Sequence, residues 1–195
     1  MTVSSGKRER TRAAILLVCA QQFAKYGFNG VSMDSLAKAA KLTKGALYDH
    51  FLGKEDIYVQ STAHYLEQAM ADLIDVPDVD QSKEEALFTF LAKFLDRLNE
   101  KPVLSRLILR VLTEETGKNT REIAEKALYL PFKHTIELVS AYRPDVNASD
   151  YVYSFYCNAI LSEDLKNVVD VLSPNSPSLS VHTSLLQHFR GILAA

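Results

Sequence analysis

The stretch SMDSLAKAAKLTKGALYDHF, residues 32–51, decides the fold of this chain. Ser32 and Thr43 are residue types that cap helices, because their hydroxyl groups accept a free amide hydrogen of the first turn. Apolar side chains follow each cap at steps of three and four residues, which is the spacing of a buried helix face. The stretch therefore predicts two short helices joined by about three residues, as in a helix-turn-helix unit. The apolar residues behind this prediction are Leu36, Ala37, Ala40, Leu47, Tyr48 and Phe51.

The second helix of this unit carries side chains that suit the base edges of DNA. Its N-terminal end is the part that meets the major groove in helix-turn-helix proteins. Lys44 can donate to the acceptors of guanine, and a methyl group of Thr43 or Ala46 can touch the methyl group of thymine. Gly45 has no side chain, so neighbouring groups can approach the groove closely. We therefore predict a recognition helix here; the alternative is a generic amphipathic helix pair with solvated charges.

Further side chains are predicted to bind phosphates, which position a protein on DNA without reading its sequence. Tyr48 and His50 carry suitable donors, and Lys54 opens a helix whose free amides can hold another phosphate. Arg8 and Arg10 lie at the start of the first helix, where positive charge is unfavourable. We interpret them as an arm that reaches phosphates or the minor groove, although a solvated basic end is the alternative. The predicted DNA-binding residues are Ser32, Met33, Thr43, Lys44, Gly45, Ala46, Tyr48, His50, Lys54, Arg8 and Arg10.

The charge distribution indicates a polyanion-binding N-terminal segment. The 195 residues have a net charge of −2, but residues 1–54 hold nine basic and three acidic side chains, a net charge of +6. The remaining residues therefore carry −8. A basic N-terminal third on an acidic body is typical of a protein that binds nucleic acid through one part only.

Read as one pattern, residues 10–58 resemble the N-terminal domain of the TetR/AcrR family of transcriptional regulators. Beside the helix-turn-helix unit, the motifs that carry this resemblance are Ile15-Leu16, Cys19-Ala20, Phe23, Gly27-Phe28 and the run from Phe51 to Tyr58. The resemblance implies a three-helix DNA-binding domain, a homodimer, a palindromic operator and an all-helical effector domain. The family usually has glycine where Lys41 stands in the turn, at a position expected to be left-handed. A lysine there should cost about 1 kcal/mol of backbone strain.

The rest of the chain predicts further helices, about nine in all, and an all-α fold. We expect an N-terminal arm and DNA-binding domain over residues 1–53, followed by a helical ligand-binding and dimerisation domain over residues 54–195. The chain shows no apolar run near the ~20 residues of a membrane span. It also shows no signal peptide, so a cytoplasmic location is expected. Cys19 and Cys157 are too few for a disulfide framework, and burial is the favoured interpretation of both.

A proline inside a helical pattern points to a candidate effector pocket. Pro131 lies within the helix predicted for Thr120 to Tyr142, and a proline there removes a backbone hydrogen bond and kinks the helix. Kinks open space between packed helices, so aromatic and apolar side chains near it become pocket candidates for an apolar or aromatic molecule. Ordinary core packing is the competing interpretation of the same residues. The pocket candidates are Phe94, Leu98, Leu107, Tyr129 and Phe132.

The last two helices carry large apolar residues near the chain end, and we predict that they pair with a second copy. Two copies form a four-helix bundle there and place two recognition helices about one turn of DNA apart. The TetR resemblance implies the same placement. The alternative is that these residues only complete the core of one copy. The predicted interface residues are Phe155, Ile160, Leu161, Leu165, Leu185 and Phe189.

Together these features predict a ligand-responsive transcriptional regulator, a repressor that binds a palindromic operator as a homodimer and is released by a small effector. A helical interaction module without DNA binding is the first alternative. An all-helical enzyme is the second, but the chain has no Gly-rich phosphate loop and no histidine pair at zinc-ligand spacing. We therefore predict no catalytic residue, no metal and no cofactor.

Overall fold

The computed structural model describes residues 3–74, 81–113, 117–172 and 181–194, and every regular element in these ranges is a helix. The predicted all-α class is confirmed. One segment, Ala124–Leu128, is π-helical and joins α7 to α8. The α-helices are α1 (Val3–Tyr26), α2 (Met33–Ala39), α3 (Lys44–Tyr48), α4 (Lys54–Ile74), α5 (Lys83–Glu100), α6 (Pro102–Thr113), α7 (Gly117–Ile123), α8 (Tyr129–Tyr142), α9 (Ala148–Leu172) and α10 (Val181–Ala194).

The chain divides into two compact units, and each unit contains two separate stretches of the sequence. The first contains residues Met1–Ala69 and Arg106–Tyr129, and the second contains Met70–Ser105 and Leu130–Ala195. Helices α4 and α6 each run through both units. The domain boundary predicted between residues 53 and 54 stays a prediction.

The first unit is built around the apolar face of α1. All five residues predicted for that face are buried, and burial raises the pKa of the Cys19 thiol to about 12. An aromatic cluster closes this core: the ring centroid of Tyr58 lies 5.0 Å from that of Phe23 and 5.2 Å from that of Phe28. Since Tyr58 belongs to α4, the cluster joins α4 to the end of α1. The buried residues of the predicted face are Ile15, Leu16, Cys19, Ala20 and Phe23.

Two left-handed residues set the turns on either side of α2. Gly27 has φ 70° and ends α1, where a glycine C-cap was predicted. Lys41 has φ 56°, so the residue that replaces glycine in the helix-turn-helix turn is left-handed as expected. A lysine in this conformation carries about 1–2 kcal/mol of steric strain that a glycine would not.

In the second unit, α5, α9 and α10 pack on one another. Helix α5 begins with the predicted cap: Ser82 Oγ accepts from Glu85 N at 3.2 Å, and Glu85 Oε2 accepts from Ser82 N at 2.9 Å. Phe155 occupies the centre of the core, with its ring centroid 6.3 Å from that of Phe94 and 5.3 Å from that of Phe189. These aromatic rings therefore fill the space between the three helices.

A kink was predicted at Pro131, and in the structure the π-helical segment directly precedes α8, the helix that contains this proline. There the amide of Tyr129 bonds to the carbonyl of Ala124, five residues back. The carbonyl of Pro131 accepts a hydrogen bond from Thr135 Oγ1 at 2.8 Å, and this hydroxyl lies 2.9 Å from Tyr156 Oη. Burial raises the pKa of Tyr156 to about 12. A widened turn thus precedes the proline, and side-chain hydroxyls bind the carbonyl of Pro131.

Three predicted boundaries were wrong. Helix α1 begins at Val3, so the basic residues expected at its start lie further inside it. Helix α3 ends at Tyr48, which leaves Phe51 outside the helix although it is buried. The glycine at 117 predicts the end of the helix that starts at Pro102, but Gly117 begins α7. The sequence also predicts a break at residues 76–80, which contain Pro77, and a Pro/Ser linker at 173–177, and both lie outside the described residues. None of the described helices combines the length and apolar character that a membrane crossing requires.

Candidate DNA-binding site

Both helices of the helix-turn-helix unit are capped by side chains within the unit. Ser32 Oγ accepts from Ser35 N at 3.1 Å, and Ser35 Oγ accepts from Ser32 N at 2.9 Å. Thr43 Oγ1 accepts from Ala46 N at 3.2 Å. These bonds satisfy amides that a short helix leaves free. Ser32 and Thr43, both predicted to face DNA, are exposed at the two helix starts.

Helix α3 separates a buried face from an exposed one. Leu47 is fully buried, and its carbonyl accepts hydrogen bonds from the amides of His50 and Phe51 in the turn that follows. Lys44, Gly45 and Tyr48 are exposed, while Ala46 is half-buried. His50, which follows the helix, is also half-buried. The structure therefore brings the predicted recognition residues together on one accessible surface.

Lys44 forms an ion pair within this surface. Its Nζ lies 3.0 Å from Oδ2 of Asp34, a residue in the first turn of α2. The hydrogen bond and the charge of Asp34 raise the pKa of Lys44 above its ordinary value. Both side chains stay accessible, with 48% of Lys44 and 73% of Asp34 exposed. An exposed pair of this kind contributes only about 0–1 kcal/mol to stability.

Lys54 is placed differently from the phosphate-binding side chain that we predicted. Its Nζ donates to the carbonyl oxygens of Phe28 and Val31, at 3.1 Å each, and lies 4.2 Å from the centroid of the Phe28 ring. Lysine has three donors and no acceptor, so at least two of them serve the segment between α1 and α2. Lys54 thus fixes the entry to the helix-turn-helix unit against the start of α4.

A second set of contacts, which the sequence did not predict, fixes the residues that follow α3 in the helix-turn-helix unit. The guanidinium of Arg12 lies 5.1 Å from the ring centroid of Phe51 and donates to Gln60 Oε1. Gln60 donates in turn to Asp56, whose other carboxylate oxygen accepts from the amide of Leu52 at 2.9 Å. Arg12 and Gln60 are 48 residues apart in the sequence. No local pattern pairs them, so only the fold reveals this chain of contacts.

The remaining predicted DNA-binding residues divide between the surface and the core. Arg8 and Arg10 are exposed on α1. Met33, by contrast, is only 9% exposed and packs in the core of the first unit. The side chain of Met33 therefore lies in the core and not on the exposed surface, and its contact with DNA stays a prediction.

The predicted effector residues fall in both compact units, and their role stays a prediction. Phe94 and Leu98 are buried in the second unit, and Phe132 packs on Tyr156 with ring centroids 5.7 Å apart. Leu107 is buried in the first unit and Tyr129 is exposed there. An open cavity of about 570 Å³ lies elsewhere in the second unit, between α5 and α10. Its lining includes Phe88, Thr89, Lys93, Asp96, Leu186 and Arg190.

The predicted dimer residues divide in the same way. Phe155, Ile160 and Phe189 are buried in the core of the second unit, so their side chains are not available to a second copy. Leu161 and Leu165 are exposed, and Leu185 is half-buried. Further apolar residues of α9 are exposed beside Leu161 and Leu165. They are Tyr153, Val168, Val171 and Leu172.

Comparisons with known proteins agree with this geometry. Residues 15–60 match the family model of bacterial regulatory proteins, tetR family. A sequence relative is the biofilm operon icaADBC HTH-type negative transcriptional regulator IcaR of Staphylococcus aureus (strain Newman), 29% identical over 101 residues. The alignment covers 50% of this chain and 52% of IcaR, so the chain spans about half the length of the curated relative.

Solved structures extend the likeness in fold over nearly the whole chain. A Rhodococcus sp. protein assigned to the TetR-family transcriptional regulators has a TM-score of 0.75 at 13% identity, covering 95% of this chain and 100% of that one. The TetR family transcriptional regulator PfmR from Thermus thermophilus has a TM-score of 0.62 at 18% identity, covering 93% of this chain and 97% of that one.

Within the described ranges, no group of three or more His, Cys, Asp and Glu side chains could hold a metal ion.

Proposed function

We propose that the protein is a ligand-responsive transcriptional repressor, because residues 15–60 match the family model of bacterial regulatory proteins, tetR family. It binds a palindromic operator as a homodimer in the cytoplasm. The observation that carries this proposal is the helix-turn-helix unit, whose α3 buries Leu47 and exposes Lys44, Gly45 and Tyr48. Repression is favoured because the similar IcaR is a negative regulator.

Each part of the exposed surface has a role in this proposal. Lys44 and the neighbouring Ala46 read base edges, because the first residues of a recognition helix reach furthest into the major groove. Tyr48, His50 and the exposed Arg8 and Arg10 bind phosphates. The net charge of +6 on residues 1–54 supplies the sequence-independent part of the affinity.

The second copy is proposed to pack on the exposed apolar face of α9. Leu161, Leu165 and Val168 recur there at steps of four and three residues, so they form one stripe along the helix. An exposed stripe of this length is typical of a helix that pairs with another copy. A dimer doubles the number of recognition helices and matches the two-fold symmetry of a palindrome.

A small apolar or aromatic effector is proposed to release the operator. In place of the buried residues first considered, we assign it to the cavity between α5 and α10, where Phe88 and Leu186 supply apolar surface. Helices α4 and α6 both run through the two compact units, and α4 begins directly after the helix-turn-helix unit, so we assign the transmission of effector binding to α4. Release requires that the effector bind the two states with different affinities, and a coupling of about 1–3 kcal/mol is typical.

DNA binding is tested with duplexes from the region that flanks the gene of this protein. Fluorescence anisotropy at rising salt should show affinity that falls steeply, with a slope of about −0.9 per neutralised phosphate. Footprinting should protect two half-sites about one helical turn apart. Lys44→Ala should weaken binding to the palindrome more than binding to random DNA, and Lys25→Ala, which removes an exposed lysine on α1, should not.

A protein that binds no duplex at low ionic strength refutes the proposal and favours the helical interaction module.

The effector site is tested separately with compounds that release the duplex. Thr89→Trp, whose indole would occupy the cavity, should abolish release without weakening DNA binding; an unchanged response would place the effector elsewhere.

A further inference from the structure

The ion pair on the recognition surface has only a small structural effect. Helix α2 is already capped by the reciprocal Ser32 and Ser35 hydrogen bonds, and Asp34 in its first turn adds only a small stabilisation through the helix dipole. Exposed ion pairs contribute little to stability. An acidic side chain beside the recognition helix also repels phosphates, which lowers affinity for every duplex. If the Asp34 carboxylate takes part in DNA binding, a favourable contact with DNA must therefore offset this repulsion.

The major groove offers only two kinds of hydrogen-bond donor to a carboxylate. They are the amino groups of cytosine N4 and adenine N6. The neighbouring Lys44 ammonium, by contrast, needs acceptors, and guanine presents two of them, O6 and N7. Thymine presents one acceptor beside an apolar methyl group, so guanine suits an ammonium better.

We propose that Asp34 and Lys44 act as one unit that reads a single G·C base pair in each half-site. Lys44 Nζ donates to guanine O6 and N7, while Asp34 accepts from cytosine N4 of the same pair. Guanine O6 and cytosine N4 are hydrogen-bonded to each other and so lie ~3 Å apart. Lys44 Nζ and Asp34 Oδ2 are 3.0 Å apart, and both are accessible, so the two pairs match in spacing and in polarity. This inference rests on the proposed function and names the base pair that the site prefers.

The inference is tested with a palindrome in which each half-site base pair is changed in turn. The wild type should lose about 10-fold in affinity when one particular G·C pair is replaced by A·T. Asp34→Asn should flatten the preference at that position and leave the other positions unchanged. It should also strengthen binding to random duplexes and steepen their salt slope by about 0.9, since Lys44 becomes free to pair with a phosphate.

Three further variants separate base reading from charge. Lys44→Gln should flatten the same position, and the double variant Asp34→Asn/Lys44→Gln should lose no more discrimination there than either single change. Asp49→Asn makes the same charge change beyond the end of α3, and should alter affinity for all duplexes alike. Circular dichroism should give equal helix content for all four variants, because the substituted side chains are exposed.

Several outcomes overturn the inference. It fails if Asp34→Asn changes affinity equally for every duplex, if it flattens a position other than the one that Lys44→Gln flattens, or if that position prefers A·T. In these cases the wild type still binds its palindrome and the proposed function stands. If the wild type binds no duplex at all, the proposed function and the inference fail together.

Discussion

Lys54, at the start of α4, distinguishes the structure from the sequence prediction, because the sequence predicts phosphate binding and the structure shows contacts within the first unit. Lys54→Met keeps the length of the side chain and removes its charge. The substitution deletes two hydrogen bonds from the ammonium, to the carbonyl oxygens of Phe28 and Val31, and the contact with the Phe28 ring. The carbonyl of Phe28 still accepts from the amide of Val31, at 3.4 Å. The entry to the helix-turn-helix unit should therefore loosen.

The magnitude follows from these contacts. A hydrogen bond from a charged donor contributes about 1.5–3 kcal/mol, and a cation–π contact contributes about 0.5–1 kcal/mol. Because Lys54 is only half-buried, water replaces part of each contact. We therefore expect a loss of about 2–3 kcal/mol in the free energy of unfolding of the first unit. For a chain of this size the unfolding temperature should fall by about 4–12 °C.

The assay combines thermal unfolding, followed by circular dichroism, with amide hydrogen exchange. Lys54→Met should accelerate exchange around residues 28–36, and Lys38→Met, which removes an exposed lysine from α2, should leave both measurements nearly unchanged. A variant that stays as stable as the wild type but loses DNA affinity would show that the Lys54 contacts with Phe28 and Val31 do not stabilise the first unit. That result would instead support the phosphate-binding role predicted from the sequence.

Three further predictions concern the turn, the dimer and the pH dependence of stability. Lys41→Gly should stabilise the protein by about 0.5–1 kcal/mol, because glycine is unstrained at φ 56°. The gain is smaller than the strain itself, since glycine loses more conformational entropy on folding. A lower unfolding temperature would contradict the strain. Leu161→Glu should convert a dimer into a single copy of 21.8 kDa in light scattering, whereas an unchanged mass would move the interface away from this face of α9. Arg97 lowers the pKa of the Asp72 carboxyl from 3.8 to about 2, so the ion pair stabilises the fold above pH 3.8 and this stability is lost as the pH falls towards 2. Asp72→Asn should remove that part of the acid sensitivity, and equal slopes of unfolding temperature against pH for both proteins would refute it.

Residues close together in the sequence determined much of the DNA-binding surface. Ser32 and Thr43 cap their helices through amides three positions later, and Gly27 ends α1 through its own backbone. The left-handed conformation of Lys41 was expected from the TetR resemblance, since the family usually has glycine at this position. Caps depend on residues only a few positions apart, so the caps and the exposed face of α3 could be predicted from the sequence itself.

Only the tertiary structure decided which polar groups meet and which apolar faces are covered. The Arg12 contact with Gln60 spans 48 positions, and the Lys54 contact with Phe28 spans 26, so neither follows from a local pattern. The apolar stripes of α9 and α10 predicted burial but not the partner: Phe155 and Phe189 pack on each other, while Leu161 and Leu165 remain exposed. The physical reason is that hydrophobic burial has no direction. An apolar side chain gains the same free energy against its own chain as against another, and the folded arrangement alone selects between them.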